Sequence, residues 1–289
     1  MKYTKKSSNK SEHTFEVIYK KDEIKKLYDA QFELSRKKLS VEGFRVGKVP
    51  AKIAKKSIEP DAIYTEILHG MVASAFRVIV DKESLKPISS PKLDVSSAKK
   101  DDDWVFTLTI PVKPDIKLPD YKSIVQAVKK KHKSADIWTP GKTLEKKDQE
   151  KKQAEKQVIL NEILKELLEK TMVEVPGVLV EQEVEKRLAG IVDDVRKIGL
   201  TVEAYLRSKG KTMDSLKKQY KKEVVDSFKL ELILDKLADT ENITVEKDEL
   251  DKFLAEVQKQ DKTANIKEQA YFYSMLLRRQ KLFDFLISL

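Results

Sequence analysis

Apolar and polar positions alternate in two short stretches of the first half of the chain. Residues 15–19 place large apolar side chains at every second position, which predicts a half-buried strand. The alternation is stronger in residues 104–112, where one face would carry only large apolar side chains. Residues 85–95 are expected to be extended and to form a hairpin with that second strand. The first half should therefore contain a small antiparallel sheet.

Helical spacing dominates the remainder of the sequence. Residues 20–39, and a segment that opens at Pro60, carry apolar side chains at helical intervals along one face. The second half is helical almost to its end, with segments expected at 144–170, from Pro176 onward, and at 202–209, 214–237, 248–257 and 270–289. The pattern predicts an α+β amino-terminal domain at 1–120, a basic linker at 121–141 and an all-α domain at 142–289.

The composition limits the function classes that remain. Lys and Arg number 58 against 48 Asp and Glu, and the net charge of +10 favours a polyanionic partner such as RNA. The absence of cysteine excludes disulfides, thiol nucleophiles and cysteine zinc sites, and it suits the reducing cytoplasm. His13, His69 and His132 lack ligand spacing, so neither a metal nor another cofactor is expected. No apolar run reaches the roughly 20 residues that cross a bilayer, so no membrane contact is expected.

The shape should be elongated, because hydrophobic residues make up 40% of the chain and aromatic residues only 7%. These fractions suit packed helices but are low for one large spherical core.

A segment between the first two helices is rich in residues with special backbone or binding properties. Gly43 and Gly47 can adopt positive φ, and Pro50 stiffens the exit, so the segment can hold a projecting tip. Phe44 and Arg45 would supply aromatic and guanidinium anchors at that tip. An ordinary interhelical turn is the alternative interpretation. A P-loop is excluded, because that motif needs four residues between its glycines and Ser or Thr after its lysine.

This segment resembles the ribosome-docking signature of the trigger factor family, Gly-Phe-Arg-x-Gly-Lys-x-Pro. The matching residues here are Gly43, Phe44, Arg45, Val46, Gly47, Lys48, Val49 and Pro50. The second half also resembles the helical arms of that family, for instance at residues 175–176 and 243–245. The resemblance implies an α+β docking domain followed by an all-α domain with arm-like helices. It also implies that Gly43, Phe44, Arg45, Val46, Gly47, Lys48 and Pro50 bind the ribosome, at the tunnel-exit protein and ribosomal RNA. Val46 departs from the family, in which this position is commonly basic.

Family members usually carry an FKBP-like prolyl isomerase between the docking domain and the arms. Here a lysine-rich connector of about 20 to 25 residues occupies that place, whereas a folded domain needs at least about 50. We therefore expect no isomerase domain and no enzymatic activity. The lysines of residues 129–133 are expected to be solvated, with contact to ribosomal RNA as the alternative.

The resemblance implies a ribosome-associated chaperone that docks near the tunnel exit and shields emerging apolar segments. A ribosome-independent holdase and an RNA-binding protein are the alternatives. Nascent or unfolded polypeptides would be the clients, and the resemblance allows a homodimer off the ribosome. The last helix is apolar nearly all round, so it either packs between the arms or meets clients. Its candidate client-binding residues are Tyr271, Phe272, Met275, Leu276, Phe283 and Leu286.

Overall fold

The computed structural model describes residues 1–99, 102–133, 146–260 and 266–289. The chain forms two compact units, and each takes two separate segments of the sequence. The first contains Met1–Pro114 and Pro176–Gln182, and the second contains Asp115–Val175 and Glu183–Leu289. A small antiparallel sheet with helices is followed by an all-helical region, as the sequence predicts.

A four-stranded antiparallel sheet forms one layer of the first unit, in the order β1-β2-β4-β3. Its strands are β1 (Lys2–Ser8), β2 (Glu12–Tyr19), β3 (Lys92–Ser97) and β4 (Trp104–Pro111). The alternation predicted for β4 is confirmed, because Trp104, Phe106, Leu108 and Ile110 are at most 2% exposed. In the register with β2, Phe15 faces Leu108 and Val17 faces Phe106. The sheet therefore offers one continuous apolar face.

Three helices of the first unit lie between β2 and β3 in the sequence: α1 (Lys21–Lys38), α2 (Ala51–Ser57) and α3 (Pro60–Lys82). The helix α3 is long and apolar enough, by length and composition, to cross a bilayer. A row of its residues at every fourth position is instead buried in the core that includes the sheet: Ile63, Ile67, Met71, Ala75 and Ile79. Burial of this row explains the apolar composition of α3 within a globular unit.

The second unit is helical throughout its described residues. Its helices are α4 (Tyr121–Lys133), α5 (Lys146–Lys170), α6 (Gly177–Lys197), α7 (Val202–Ser208), α8 (Met213–Thr240), α9 (Lys247–Gln260) and α10 (Ile266–Ser288), and the first turns of α6 belong to the first unit. A shared core joins α4, α5, α8 and α10 through Ile124, Val125, Val128, Ile163, Leu167, Ile233, Leu234, Leu237, Ala238, Leu282 and Leu286. This core fixes the ends of the long helices against one another.

The prediction of a basic linker at 121–141 is wrong for residues 121–133, which form α4. Ile124, Val125 and Val128 lie on one face of α4 and are buried in the second core. Lys122 pairs with Glu241 at 3.5 Å. The lysine-rich composition of this segment conceals a narrow apolar stripe, which is enough to dock a helix. Residues 134–141 lie outside the described part of the chain.

A hydrogen bond ties the start of α4 to the end of α8, because the Tyr121 hydroxyl donates to Glu241 Oε1. This bond, assisted by Lys122, holds the pKa of Glu241 below its ordinary value of 4.5. A lowered carboxyl pKa stabilises the folded state above the ordinary pKa, and that contribution is lost as the pH falls through the folded value. Replacing Glu241 with Gln should therefore lower the melting temperature at about pH 7 and leave it unchanged at about pH 2. Melting curves followed by circular dichroism at both pH values check this, and an equal loss at both would contradict a role for the charge.

Candidate docking site

Two consecutive turns build the segment between α1 and α2. Phe44 N donates to Val41 O at 3.0 Å, and Lys48 N donates to Arg45 O at 2.9 Å. The third position of each turn is a glycine with positive φ, +85° at Gly43 and +81° at Gly47. Type II turns require positive φ at that position, which glycine adopts without steric cost. The spacing of the two glycines therefore follows from two successive turns.

Both ends of this segment are fixed to the first unit. Val41 is half-buried against the core, and Val49 is 1% exposed within it. Pro50 has a φ of −59°, and its carbonyl oxygen accepts hydrogen bonds from the backbone nitrogens of Ile53 and Ala54 at the start of α2. The stems are thus anchored by burial and by the first turn of a helix.

The tip between these stems is exposed, in agreement with the projecting tip that the sequence predicts. Phe44 is 40% exposed and Val46 is 57% exposed, although both carry large apolar side chains. Arg45 and Lys48 are exposed as well, and neither forms an ion pair with any described residue. We call residues 41–50 the docking loop. Its tip presents an aromatic ring, a guanidinium and an ammonium together, which is a suitable set for an anionic partner with an apolar recess.

Positive charge is concentrated on and around the docking loop. Residues 36–57 contain eight Lys and Arg against a single acid, Glu42. This segment thus carries a net +7 within a chain whose net charge is +10. Arg36 pairs with Glu33 at 2.6 Å, outside the segment. Such a concentration creates a local positive potential that attracts polyanions.

Replacing either loop glycine with alanine should destabilise the first unit by about 1 to 2 kcal/mol, because L residues are strained at positive φ. At Gly47 the added Cβ would also lie 3.4 Å from Lys37 O. Gly70 of α3 is the matched control, since a Cβ there meets nothing within 4 Å. Alanine at that helical position should stabilise by roughly 0.5 to 1 kcal/mol. Urea unfolding of the three variants checks the opposite signs, and a neutral effect at both loop positions would refute the strain argument.

The candidate client-binding residues of α10 divide between surface and core. Tyr271, Phe272 and Leu276 are 78%, 60% and 46% exposed. Met275 and Phe283 are half-buried. Leu286 is 0% exposed and belongs to the core shared with α4, α5 and α8, so its assignment as a client-contact residue is wrong. We call Tyr271, Phe272 and Leu276 the α10 patch.

Further exposed apolar side chains lie near the α6–α7 turn, where the hydrophobic pattern did not predict them. Ile198 is 65% exposed and Leu200 is 48% exposed, on either side of Gly199. Gly199 has a φ of +73° and ends α6, with Leu200 N donating to Val195 O at 3.1 Å. Ile198 and Leu200 flank a glycine that ends a helix, so they lie outside the apolar stripe of that helix. Their position beside Gly199 was the feature of the sequence that could have indicated their exposure.

The described residues do not form a recognisable metal centre, since no group of three or more His, Asp or Glu among them is placed to hold an ion. The surfaces that remain as candidates are therefore the docking loop, which combines charge with an aromatic anchor, and the apolar positions of the helical unit. Both types of surface favour binding to macromolecules over small-molecule chemistry.

Comparison with known proteins agrees with this picture. The family model for bacterial trigger factor protein matches residues 1–139, and the model for the trigger factor C-terminus matches residues 142–287. The trigger factor of Levilactobacillus brevis is 36% identical over 123 residues, which are 43% of this chain and 28% of that protein. The trigger factor of Streptococcus pneumoniae strain Hungary19A-6 is 32% identical over 126 residues, 44% of this chain and 29% of that protein. These matches span less than a third of each relative.

A solved structure from work on promiscuous substrate recognition by the trigger factor chaperone has the same fold. It superimposes with a TM-score of 0.63 at 13% identity, over 100% of this chain and 99% of that chain. At this identity the likeness concerns the fold alone. The two family models, in contrast, follow each other along the sequence and leave only residues 140 and 141 between them. The chain belongs to the bacterial trigger factor family.

Proposed function

We propose that this chain is a ribosome-associated chaperone that docks near the tunnel exit and shields apolar segments of emerging polypeptides in the cytoplasm. The observation that carries the proposal is the docking loop, in which Phe44 and Arg45 project from buried stems within a strongly cationic segment. Aromatic and arginine side chains at an exposed, fixed tip are typical anchors of a macromolecular interface. Arg45 can form paired hydrogen bonds with an RNA phosphate or with a carboxylate of a ribosomal protein.

The helical unit would act on the client. Docking holds it close to the emerging chain and raises its effective concentration there without tight affinity for any one segment. Weak contacts with exposed apolar side chains such as those of the α10 patch would then delay aggregation until the client can bury its own apolar surface. Release would follow from reversible dissociation and client folding, so no nucleotide is required. Prolyl isomerisation would not be an activity of this chain.

Cosedimentation with ribosomes tests the docking half of the proposal. Saturable binding to ribosomes, and much weaker binding to purified RNA, is the expected result. Equal affinity for both would favour a general RNA-binding protein. Suppression of client aggregation without ribosome binding would favour a ribosome-independent holdase.

Replacing Tyr271, Phe272 and Leu276 with serine should raise the concentration needed to suppress client aggregation by roughly 10- to 150-fold. The reason is that each lost contact of this size contributes about 0.5 to 1 kcal/mol at a partly exposed interface. The aggregation of a chemically unfolded model client, followed by light scattering, provides the readout. Val158→Ser is the control, because Val158 is 54% exposed on α5 outside the patch. Equal losses in the two variants would show that the α10 patch has no special role.

A further inference from the structure

The helix α2 presents a row of lysines to solvent beside the docking loop. Lys52, Lys55 and Lys56 are exposed and lie at helical positions i, i+3 and i+4, so they share one face. The other side of the helix faces the protein, since Ala54 is 0% exposed and Ile53 packs against the core. The orientation of α2 is thus set by its apolar residues. The three lysines remain exposed, and Lys55 lies beside a cleft that Asp22, Asp29 and Asp102 also line.

No acid lies close to this row in the sequence. Residues 43–58 contain no Asp or Glu. None of the three lysines forms an ion pair with any residue that the structure describes. Like charges three and four positions apart repel each other and weaken a helix, and α2 has only seven residues. The row therefore has a local cost that no ion pair with a described residue offsets.

The helix α4 provides an instructive comparison, because residues 121–135 are also rich in lysine and free of acids. Three of its lysines have partners within the second unit. Lys122 pairs with Glu241 at 3.5 Å, and Lys131 pairs with Glu162 at 3.2 Å. Lys129 donates to the carbonyl oxygen of Ile287. Lysine-rich composition alone thus does not indicate a binding surface. The row on α2 differs from these lysines because it lacks such pairs and lies next to the docking loop.

We infer that Lys52, Lys55 and Lys56 bind neighbouring phosphates of ribosomal RNA and form a second contact next to the docking loop. The inference rests on the proposed function and extends it. Lys52 and Lys56 lie about 6 Å apart along the helix axis, so the row can follow one stretch of phosphate backbone. The exposed residues of α2 include no aromatic or large apolar side chain that could anchor a protein partner, and phosphate binding needs only charge. The row also adds positive charge next to the docking loop, in which position 46 is the uncharged Val46.

The salt dependence of ribosome binding tests this inference. The variant Lys52→Ala, Lys55→Ala, Lys56→Ala should remain folded, because alanine favours helix and the substitutions remove repulsion. Each phosphate contact contributes about 0.7 to 0.9 to the slope of log affinity against log salt concentration. The variant should therefore have a slope smaller by about 2 to 3. Between about 50 and 200 mM salt, the parent should lose roughly 20- to 40-fold more affinity than the variant.

The control variant is Lys217→Ala, Lys218→Ala, Lys221→Ala, which removes the same charge from exposed positions of α8. An unchanged slope in the α2 variant, or an equal change in the control, would overturn the inference. Weaker binding with an unchanged slope would indicate that the three lysines bind an acidic ribosomal protein. That result would also overturn the inference. The proposed function is tested separately by the variant Phe44→Ala, Arg45→Ala. Loss of binding in that variant with no effect of the α2 substitutions would retain docking and reject the phosphate contact.

Discussion

Replacing Phe44 and Arg45 with alanine is expected to weaken ribosome binding more than about a hundredfold. Interface anchors of these types typically cost about 2 kcal/mol or more each when truncated, and 1.4 kcal/mol is a factor of ten. The substitutions should leave the melting temperature nearly unchanged, because both side chains are exposed and the loop stems hold the backbone. Quantitative cosedimentation over a range of ribosome concentrations measures the effect.

A matched variant separates this result from a general loss of surface contacts. Ile88 is 40% exposed, the same fraction as Phe44, and the nearby Lys86 is also exposed. The variant Lys86→Ala, Ile88→Ala therefore removes one cation and one exposed apolar side chain at another place in the same unit. It should bind ribosomes like the parent. Similar losses of ribosome affinity in both variants would show that the docking loop contributes no more to binding than other exposed side chains of this unit.

Replacing Leu286 with alanine should destabilise the second unit by about 2 to 5 kcal/mol, which is the usual cost of a cavity in a core. Leu286 is 0% exposed among side chains of α4, α5 and α8. Leu276→Ala, on the same helix, should change stability by no more than about 0.5 kcal/mol, because this side chain is 46% exposed. Urea unfolding followed by circular dichroism compares the two. A large loss in the Leu276 variant would mean that the α10 patch is part of the core and unavailable to clients.

The docking loop was predictable from the sequence because its geometry depends on local chemistry. Positive φ at Gly43 and Gly47 and a fixed φ at Pro50 restrict the backbone whatever the rest of the chain does. The alternating face of β4 was predictable for a similar reason, since a period of two has no other common explanation. The restricted backbone forms the turns of the loop, and the buried Val49 anchors one of its ends. The tip between the ends is therefore exposed.

Other elements depend on contacts that are distant in the sequence, and local patterns did not predict them. The edge strand β1 is polar and mostly exposed, and it exists because β2 offers it backbone hydrogen bonds. At the start of α1, Glu23 Oε2 accepts locally from Lys20 N at 3.2 Å, and the distant Asp103 Oδ1 accepts from Lys21 N at 3.0 Å. That pairing joins positions 82 residues apart. No local cap signal could have indicated it.

The candidate client surface was only partly predictable, because helical periodicity identifies an apolar face but not the partner that covers it. Both Leu276 and Leu286 belong to a helix that is apolar nearly all round. Only the packing of α10 against α5 and α8 decides that one is exposed and the other buried. The small helix α2 was missed as well, because seven residues are too few for a periodic signal.

The proposed function requires the docking loop to contact the ribosome while the helical unit contacts the emerging chain. A photoreactive amino acid placed at position 44 or at position 272 distinguishes these contacts in complexes that carry a stalled nascent chain. We expect position 44 to crosslink to ribosomal components at the tunnel exit and position 272 to crosslink to the nascent chain. Crosslinks from position 44 that go only to the nascent chain, or no ribosomal crosslink at all, would contradict the proposed function.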